Sequence, residues 1–266
     1  MIPLIFERSV SGRRALTFPR LTEAEREGPL PLPAEYCADE APDLPEVSEL
    51  DVIRHYTRLS QQNYSVDTHF YPLGSCTMKY NPRLCEKVAA LDGFAGLHPL
   101  LPQLRGGAAL TQGALEVLWH SGELLNELTG MAGFTLQPMA GAHGELTGML
   151  LIAAYHRARG NTRRTVLIPD SAHGTNPASA AMAGYSIVAV GTDADGNVDL
   201  DDFKARLTPD TAAVMLTCPS TLGLFETHVR ELADIAHANG TLLYYDGANL
   251  NAMMGRARPG DLGFDV

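Results

Sequence analysis

Apolar residues follow two alternating patterns between residues 144 and 246. Short, nearly continuous apolar runs are typical of strands buried on both faces of a sheet, and the segments between them have apolar residues at helical spacing. Strands are therefore predicted at 165–169, 186–190, 212–217 and 241–246. Helices are predicted at 144–159, from Pro177, at 199–207 and at 228–239. This alternation implies right-handed crossovers and predicts an α/β fold with a mostly parallel, three-layer sheet.

The first 45 residues differ from the rest of the chain. They contain seven prolines, which fix the backbone φ angle and remove hydrogen-bond donors. We interpret residues 1–45 as an extended N-terminal arm and residues 46–266 as one large domain. A disordered tail is the simpler alternative, although interspersed Leu and Phe favour an arm that lies on another surface, such as a partner subunit. Further helices are predicted from Val47 and at 113–129.

Composition narrows the class of protein. The chain has 266 residues, enough for a large core, and a formal net charge of −11, which argues against nucleic-acid binding. Its longest strongly apolar stretch, 146–155, is far shorter than the ~18 residues of a membrane span. The N-terminus lacks the pattern of a secretory signal. The four cysteines have no CxxC or metal-ligand spacing, which predicts a reducing, cytoplasmic setting and no metal site.

Polar side chains follow three of the predicted strands. The strand at 165–169 precedes DSAHGTN (170–176), the strand at 212–217 precedes CPSTLG (218–223), and the last strand ends on Asp246 before GAN. The carboxyl ends of parallel strands share one edge of a sheet, and ligands bind there at a switch point in the strand order. We therefore expect a binding site at this edge.

A glycine-rich turn, QPMAGAHGE (137–145), comes before the helix predicted at 144–159. The free N–H groups and positive dipole end of a helix attract phosphate at such a position. The spacing fits neither the GxGxxG pattern of dinucleotide sites nor the P-loop. Alone the turn is a weak signal, because many glycine turns are only structural.

Together these residues match the needs of a vitamin B6 cofactor, which are a phosphate cradle, a flat group over the ring and an acid beside the pyridinium nitrogen. Asp246 suits the acid, because its charge favours the protonated nitrogen, and His173 is the candidate flat group. Two structural interpretations remain open, with Asp246 as a turn residue and His173 as a loop histidine that satisfies its own hydrogen bonds.

Five separated motifs carry a resemblance that covers essentially the whole chain. They are YPLGSCTMKYNP (71–82), GAHGE (141–145), PDSAHGTNPAS (169–179), TLGLFE (221–226) and DGANLNA (246–252). In this order they resemble the P-protein family of the glycine cleavage system, the pyridoxal-phosphate-dependent, decarboxylating glycine dehydrogenases. The opening PLIFERSVSGRR (3–14) is similar to the start of subunit 2 in the split bacterial form.

The resemblance implies a fold-type-I pyridoxal-phosphate-dependent transferase and a set of site residues. His173, stacked on the pyridine ring, and Asp246, holding the ring nitrogen, are the implied catalytic residues. The other implied positions are Ala142 and His143 at the phosphate-binding helix start, Ala248 behind the ring, Thr221 and Asn249 in the pocket wall, and Ser75 and Thr77 near the substrate.

The implied reaction is decarboxylation of glycine with transfer of the aminomethyl group to the lipoyl group of the carrier H-protein. The implied partners are therefore glycine, lipoylated H-protein and subunit 1, in a heterotetramer with two copies of each subunit. No nucleic-acid or membrane partner is expected.

Lysine is scarce in the sequence, with only Lys79, Lys87 and Lys204. In the resembled family the Schiff-base lysine follows a short strand after the segment that here reads RPGDLGFDV, which ends at Val266. We therefore expect an incomplete chain that lacks this lysine and a C-terminal small domain. Lys79 is the rival anchor, but it precedes the phosphate helix, whereas this fold places the anchor after the strand that bears the aspartate.

Two alternatives from other classes stay open. The first is a non-catalytic structural partner subunit of the same complex, which keeps the fold without the lysine. The second is another fold-type-I enzyme, such as an amino-acid decarboxylase or a cysteine desulfurase, although the motif at 71–82 argues against it.

Overall fold

The computed structural model describes residues 2–17, 19–20, 22–23, 33–40, 42–70 and 79–266. These residues divide into two compact units. The N-terminal unit contains the described residues up to 70 together with 79 and 80, and the larger unit contains residues 81–266.

The N-terminal unit contains helix α1, Glu49–Ser60, which confirms the helix predicted from Val47. The hydroxyl of Ser48 accepts from the N–H of Asp51, and the Asp51 carboxylate accepts from the N–H of Ser48 in return, so two unpaired helix donors are satisfied. Arg13 lies 2.9 Å from the same carboxylate. Short 3₁₀ turns are present at Phe6–Arg8 and Ala34–Tyr36. A separate arm over 1–45 stays a prediction.

The larger unit contains nine α-helices and four strands among its residues 81–266. The helices are α2 Arg83–Ala89, α3 Asp92–Ala95, α4 Gly107–Leu110, α5 Gln112–Thr129, α6 Gly141–Ala158, α7 Thr175–Met182, α8 Leu200–Arg206, α9 Val229–Ala238 and α10 Pro259–Leu262. The strands are β1 Thr165–Pro169, β2 Ser186–Val190, β3 Thr211–Thr217 and β4 Leu242–Asp246. Short 3₁₀ turns lie at Leu101–Gln103 and Leu250–Ala252.

The four strands form one parallel sheet in the order β2-β1-β3-β4. Thr165–Pro169 pairs residue by residue with Ser186–Val190. On the other side of the sheet, Thr217 at the end of β3 pairs with Asp246 at the end of β4. From β1 the chain crosses to β2 at one edge of the sheet, and from β3 it crosses to β4 at the other edge. The strand order therefore reverses between β1 and β3, and a switch point of this kind forms a crevice at the carboxyl ends of the strands.

Two apolar cores lie on opposite faces of the sheet. Met149 of α6 packs with Val166 of β1 in the first core, to which α7 also contributes. Phe203 of α8 and Leu232 of α9 pack with Val214 of β3 in the second core. Helices therefore cover both faces, and the predicted three-layer, parallel α/β architecture is confirmed.

The predicted boundaries are wrong at the start of two helices. Helix α6 begins at Gly141, not at 144, because the glycine-rich turn itself forms the first helical turn. Helix α7 begins at Thr175, two residues before Pro177. Proline is tolerated there because the first N–H groups of a helix have no partner within it.

The last residues of the chain lie beside β4. The N–H of Val266 donates to the carbonyl of Leu243 at 3.2 Å, and the N–H of Tyr245 donates to the carbonyl of Val266 at 2.7 Å. This is the hydrogen-bond pattern of parallel strands. Separately, no helix in the described part of the chain combines the length and the apolar character needed to cross a membrane.

Candidate functional site

The side chain of Asp246 is buried at the carboxyl end of β4, 8% exposed. Its Oδ2 accepts hydrogen bonds from Nδ2 of Asn176 at 2.9 Å and from Oγ1 of Thr217 at 3.1 Å. Its Oδ1 accepts from the backbone N–H of Ala248 at 3.0 Å. Three donors therefore hold the carboxylate in one orientation.

Asn176 connects Asp246 to a second carboxylate. Its side chain is fully buried, and the same Nδ2 that contacts Asp246 donates to Oε2 of Glu145 at 2.8 Å. Its Oδ1 lies 3.2 Å from Oγ1 of Thr217. An amide nitrogen carries two hydrogens, so Asn176 can serve both carboxylates at once and joins α6, α7, β3 and β4 in one network.

Glu145 of α6 is the second buried acid of the site, 9% exposed. Burial raises the pKa of its carboxyl, and the nearby charge of Asp246 raises this pKa further. Hydrogen bonds from Asn176 and Ser179 and the imidazole of His173 oppose the rise in pKa without cancelling it. The site therefore favours the neutral acid at Glu145 more than water does.

The start of α6 presents free backbone donors next to this network. The residue before it, Ala140, offers no side-chain cap, and the N–H groups of His143 and Gly144 both donate to the Ala140 carbonyl at 3.0 Å. The N–H groups of Gly141 and Ala142 have no such partner among the described residues. Ala142 and His143 are exposed, and an added Cβ on Gly141 or Gly144 would meet no heavy atom within 4 Å. Such a helix start can bind an anion.

Close packing against β4 fixes the position of α6. An added Cβ on Gly148 would collide with the ring of Tyr244, so the helix approaches the strand in a way that only glycine permits. Glu145 lies about one helical turn, roughly 6 Å, beyond Gly141. The start of α6 and the Asp246 network are therefore neighbours.

His173 lies in the loop between β1 and α7 and is exposed. The backbone N–H of Thr175 donates to its Nδ1 at 3.2 Å, which puts the proton of the neutral ring on Nε2. The ring is therefore held by its own loop and faces solvent at the same edge of the sheet as Asp246.

Thr221 and Thr217 line one small cavity of about 20 Å³ at the ends of β1 and β3, together with Ser171 and Ala172. Asn249 has a different environment, because its Nδ2 donates to the carbonyls of Pro219 at 3.0 Å and Ser220 at 3.5 Å. Its side chain thus ties the loop after β4 to the loop after β3.

Six of the nine site residues predicted from the sequence lie at one edge of the sheet. They share direct contacts, one cavity or the start of one helix, and they are Ala142, His143, Thr221, Asp246, Ala248 and Asn249. His173 joins them through its electrostatic effect on Glu145. Ser75 and Thr77 lie outside the described residues. The rival anchor Lys79 belongs to the N-terminal unit.

Sequence reasoning missed the roles of Glu145, Asn176 and Thr217. A signal was present for Glu145, because it falls on the same helical stripe as the buried Gly148, Met149 and Ile152 of α6, where a charged residue needs a reason to be buried. No pattern in the sequence indicates that Asn176 lies between two acids.

Several known proteins are similar to this chain. A family model described as aminotransferase class-V matches residues 145–258. Proteins named probable glycine dehydrogenase (decarboxylating) subunit 2 are similar over nearly the whole chain. The one from Kosmotoga olearia is 56% identical over 98% of this chain and 53% of its own length. The one from Alkaliphilus oremlandii is 55% identical over 99% of this chain and 53% of its own length. The chain thus spans about half the length of these relatives.

Solved structures share the fold. An inhibitor-bound glycine decarboxylase, the P-protein of the glycine cleavage system, aligns with a TM-score of 0.64 and 23% identity over 94% of this chain and 57% of its own. A sphingosine-1-phosphate lyase from Burkholderia pseudomallei aligns with a TM-score of 0.56 and 17% identity over 82% of this chain and 51% of its own. At these identities the likeness concerns the architecture alone, which is that of fold-type-I enzymes.

Proposed function

The chain belongs to the family of the glycine dehydrogenase (decarboxylating) subunit 2 proteins, and we propose that its site binds pyridoxal phosphate for the decarboxylation of glycine. The observation that carries the proposal is the Asp246 carboxylate, which three donors hold in place at the edge where the switch point lies. Such a carboxylate is what a pyridinium nitrogen requires as its partner.

The donor set of the site fits this cofactor. A carboxylate oxygen accepts two hydrogen bonds, and Oδ1 of Asp246 receives one, from Ala248, among the described residues. One acceptor position is therefore left for a ring N–H. About one helical turn from Glu145, the N–H groups of Gly141 and Ala142 offer an anion site for a phosphate. An aromatic phosphate ester with a basic ring nitrogen fits both the anion site at the start of α6 and the acceptor position of Asp246.

Each residue contributes a separate physical effect. When bound, pyridoxal phosphate supplies an electron sink for the electron pair left by loss of the glycine carboxylate. The negative charge of Asp246 keeps a proton on the ring nitrogen. His173, held by the N–H of Thr175, offers a flat face that can stack on an aromatic ring. The start of α6 anchors the phosphate and so fixes the distance to Asp246.

Substrate and partners follow from the family and are part of the proposal. The resemblance assigns Ser75 and Thr77, which lie outside the described residues, to the substrate, and we assign Thr221 and Asn249 to the wall of the site. Subunit 1 completes the assembly as a heterotetramer with two copies of each subunit. Lipoylated H-protein accepts the aminomethyl group. The protein works in the cytoplasm, where its cysteines stay reduced.

A structural subunit without chemistry is the alternative of a different class. The buried network around Asp246 favours the catalytic role, because burying two carboxylates costs stability and a purely structural subunit gains nothing from it. Another amino-acid decarboxylase of the same fold is the second alternative, and the choice of substrate separates it from the proposal.

The test is glycine-dependent exchange of labelled bicarbonate into the carboxyl group of glycine. The intact protein is assayed with subunit 1, pyridoxal phosphate and lipoylated H-protein. We expect exchange that requires glycine and H-protein, that is lost in Asp246→Asn and that persists in Asp234→Asn, a matched change of an exposed aspartate on α9. Absence of exchange in a complex that binds the cofactor would favour the structural subunit. Decarboxylation of a different amino acid would favour the second alternative.

A further inference from the structure

Two acids of the site share a single side-chain amide. Nδ2 of Asn176 lies 2.8 Å from Oε2 of Glu145 and 2.9 Å from Oδ2 of Asp246. With one N–H directed to each acid, the amide cannot rotate without losing both hydrogen bonds. The orientation of the Asp246 carboxylate is therefore coupled to Glu145, a residue on another element.

The two carboxyl groups differ in the number of donors that they receive. Asp246 accepts from Asn176, Thr217 and the N–H of Ala248. Glu145 accepts from Asn176, with Ser179 as its other hydrogen-bonding neighbour. Donors stabilise the charged form of an acid. Burial and the nearby Asp246 raise the pKa of the Glu145 carboxyl, and with this smaller donor set we assign the neutral form to Glu145.

The other titratable groups around the pair do not change this assignment. Tyr244 and Tyr245 of β4 interact with Asp246, and burial raises the pKa of both phenols, so they stay neutral. His173 faces Glu145 from the loop after β1 but is exposed. Helix α7 contributes Asn176 and Ser179, and β3 contributes Thr217, none of which carries a charge.

We propose that Glu145 is a positioning residue for Asp246, which as a neutral acid holds the Asn176 amide in the orientation that directs the charged Asp246 carboxylate towards the ring nitrogen of the cofactor. The inference rests on the proposed function for the identity of the cofactor. Glu145 itself need not touch the cofactor. Glu145 acts on Asp246 through the side-chain amide of Asn176.

The amide variant of Glu145 separates this role from a general need for a negative charge. Glu145→Gln keeps a carbonyl oxygen that accepts from Asn176 and resembles the neutral acid in shape, whereas Glu145→Ala removes the acceptor. Glu231→Gln is the control, because Glu231 is an exposed glutamate on α9 of the same unit. Glu231 accepts from Nζ of Lys204 at 3.0 Å and not from Asn176.

The experiment measures two quantities in the intact protein. The first is the dissociation constant of pyridoxal phosphate, which we expect within twofold of the wild type in Glu145→Gln and Glu231→Gln. In Glu145→Ala we expect binding weaker by roughly tenfold, as for the loss of about one hydrogen bond between Asp246 and the cofactor. Unchanged binding in Glu145→Ala, or equal weakening in Glu145→Gln and Glu145→Ala, would overturn the inference.

The second quantity is the titration of the Glu145 carboxyl in cofactor-free protein, followed by carbon NMR of protein with labelled glutamate and assigned by its loss in Glu145→Gln. We expect the signal to titrate above the usual range of glutamate, and titration in the usual range would overturn the inference. This measurement needs no cofactor. If the wild type binds no pyridoxal phosphate, the proposed function fails, and the carboxyl titration still decides whether Glu145 holds the proton.

Discussion

Asn176 donates a hydrogen bond of 2.9 Å to Asp246, although 70 positions separate the two residues in the sequence. The hydrogen bond links the first turn of α7 to the end of β4. Thr217, at the end of β3, contacts both side chains. The acid at the end of β4 therefore depends on a helix that follows β1. The packing of α7 on the sheet and the orientation of the Asp246 side chain are therefore coupled.

Asp246→Asn tests the acid directly. The substitution removes the negative charge but keeps the size of the side chain, so we expect the fold to persist and the affinity for pyridoxal phosphate to fall by roughly 10- to 100-fold, the value of a hydrogen bond between charged groups. Absorbance titration of the intact protein with the cofactor measures the change. Equal affinities of Asp246→Asn and the exposed control Asp234→Asn would contradict the assignment of Asp246.

His173 is expected to act through the face of its ring. His173→Phe keeps a flat aromatic group, whereas His173→Ala removes it, and aromatic stacking contributes about 0.5–1.5 kcal/mol. The dissociation constant of pyridoxal phosphate should therefore rise roughly two- to tenfold in His173→Ala and change less in His173→Phe. The same increase in both variants would show that the imidazole nitrogens matter more than stacking.

Replacing Asn176 should destabilise the protein even without cofactor. Asn176→Leu has a similar volume but removes the donor that Glu145 and Asp246 share, and the loss of a hydrogen bond to a charged group costs about 1.5–3 kcal/mol. Urea unfolding of the cofactor-free protein gives the loss in free energy of unfolding. Asn161→Leu is the control, since Asn161 is exposed and its side chain makes, within the described part of the chain, one long contact of 3.4 Å with His156. Equal stability of the two variants would contradict a network that holds the site together.

The close approach of α6 and β4 gives a test of packing. Gly148→Ala places a methyl group against the ring of Tyr244, and overpacking of this kind costs about 1–3 kcal/mol. Gly122→Ala, inside α5 with open space around the position, should instead stabilise by about 0.5–1 kcal/mol, the helix preference for alanine. Thermal unfolding of both variants checks the signs. A neutral Gly148→Ala would show that the helix can move away from the strand at no cost.

The raised pKa of Glu145 gives stability a predictable dependence on pH. The folded protein binds this proton more tightly than the unfolded chain does, so its contribution to stability falls as the pH rises from the usual pKa of glutamate to the raised value. Glu145→Gln has no such proton to lose. The melting temperature of Glu145→Gln relative to the wild type should therefore increase as the pH is raised from the usual pKa of glutamate through neutrality. A difference that stays constant over this range would mean that Glu145 titrates normally.

The sheet was predictable because its signal is local. Four apolar runs predicted the ends of β1 to β4 to within one residue. The alternation of these runs with helices implied that the strands are parallel. Asp246 was predictable because it ends a buried strand, a position where a polar residue is informative. The resemblance of the separated motifs added Ala142, Thr221, Ala248 and Asn249.

The network around Asp246 was not predictable, because it depends on contacts between distant parts of the chain. Glu145 and Asn176 are 31 positions apart and meet only when α6 and α7 pack on the same face of the sheet. The start of α6 was misplaced for a local reason, since glycine lowers helix propensity and the sequence GAHG therefore indicated a turn. In the structure these residues form the first turn, where the free N–H groups face open space.

The central claim is that the Asp246 carboxylate holds a protonated pyridine nitrogen at the end of β4. The most direct measurement is the nitrogen NMR shift of pyridoxal phosphate labelled at its ring nitrogen and bound to the intact protein. We predict a protonated ring nitrogen in the wild type and an unprotonated one in Asp246→Asn. An unprotonated nitrogen in the wild type, or the same shift in both proteins, would contradict the account.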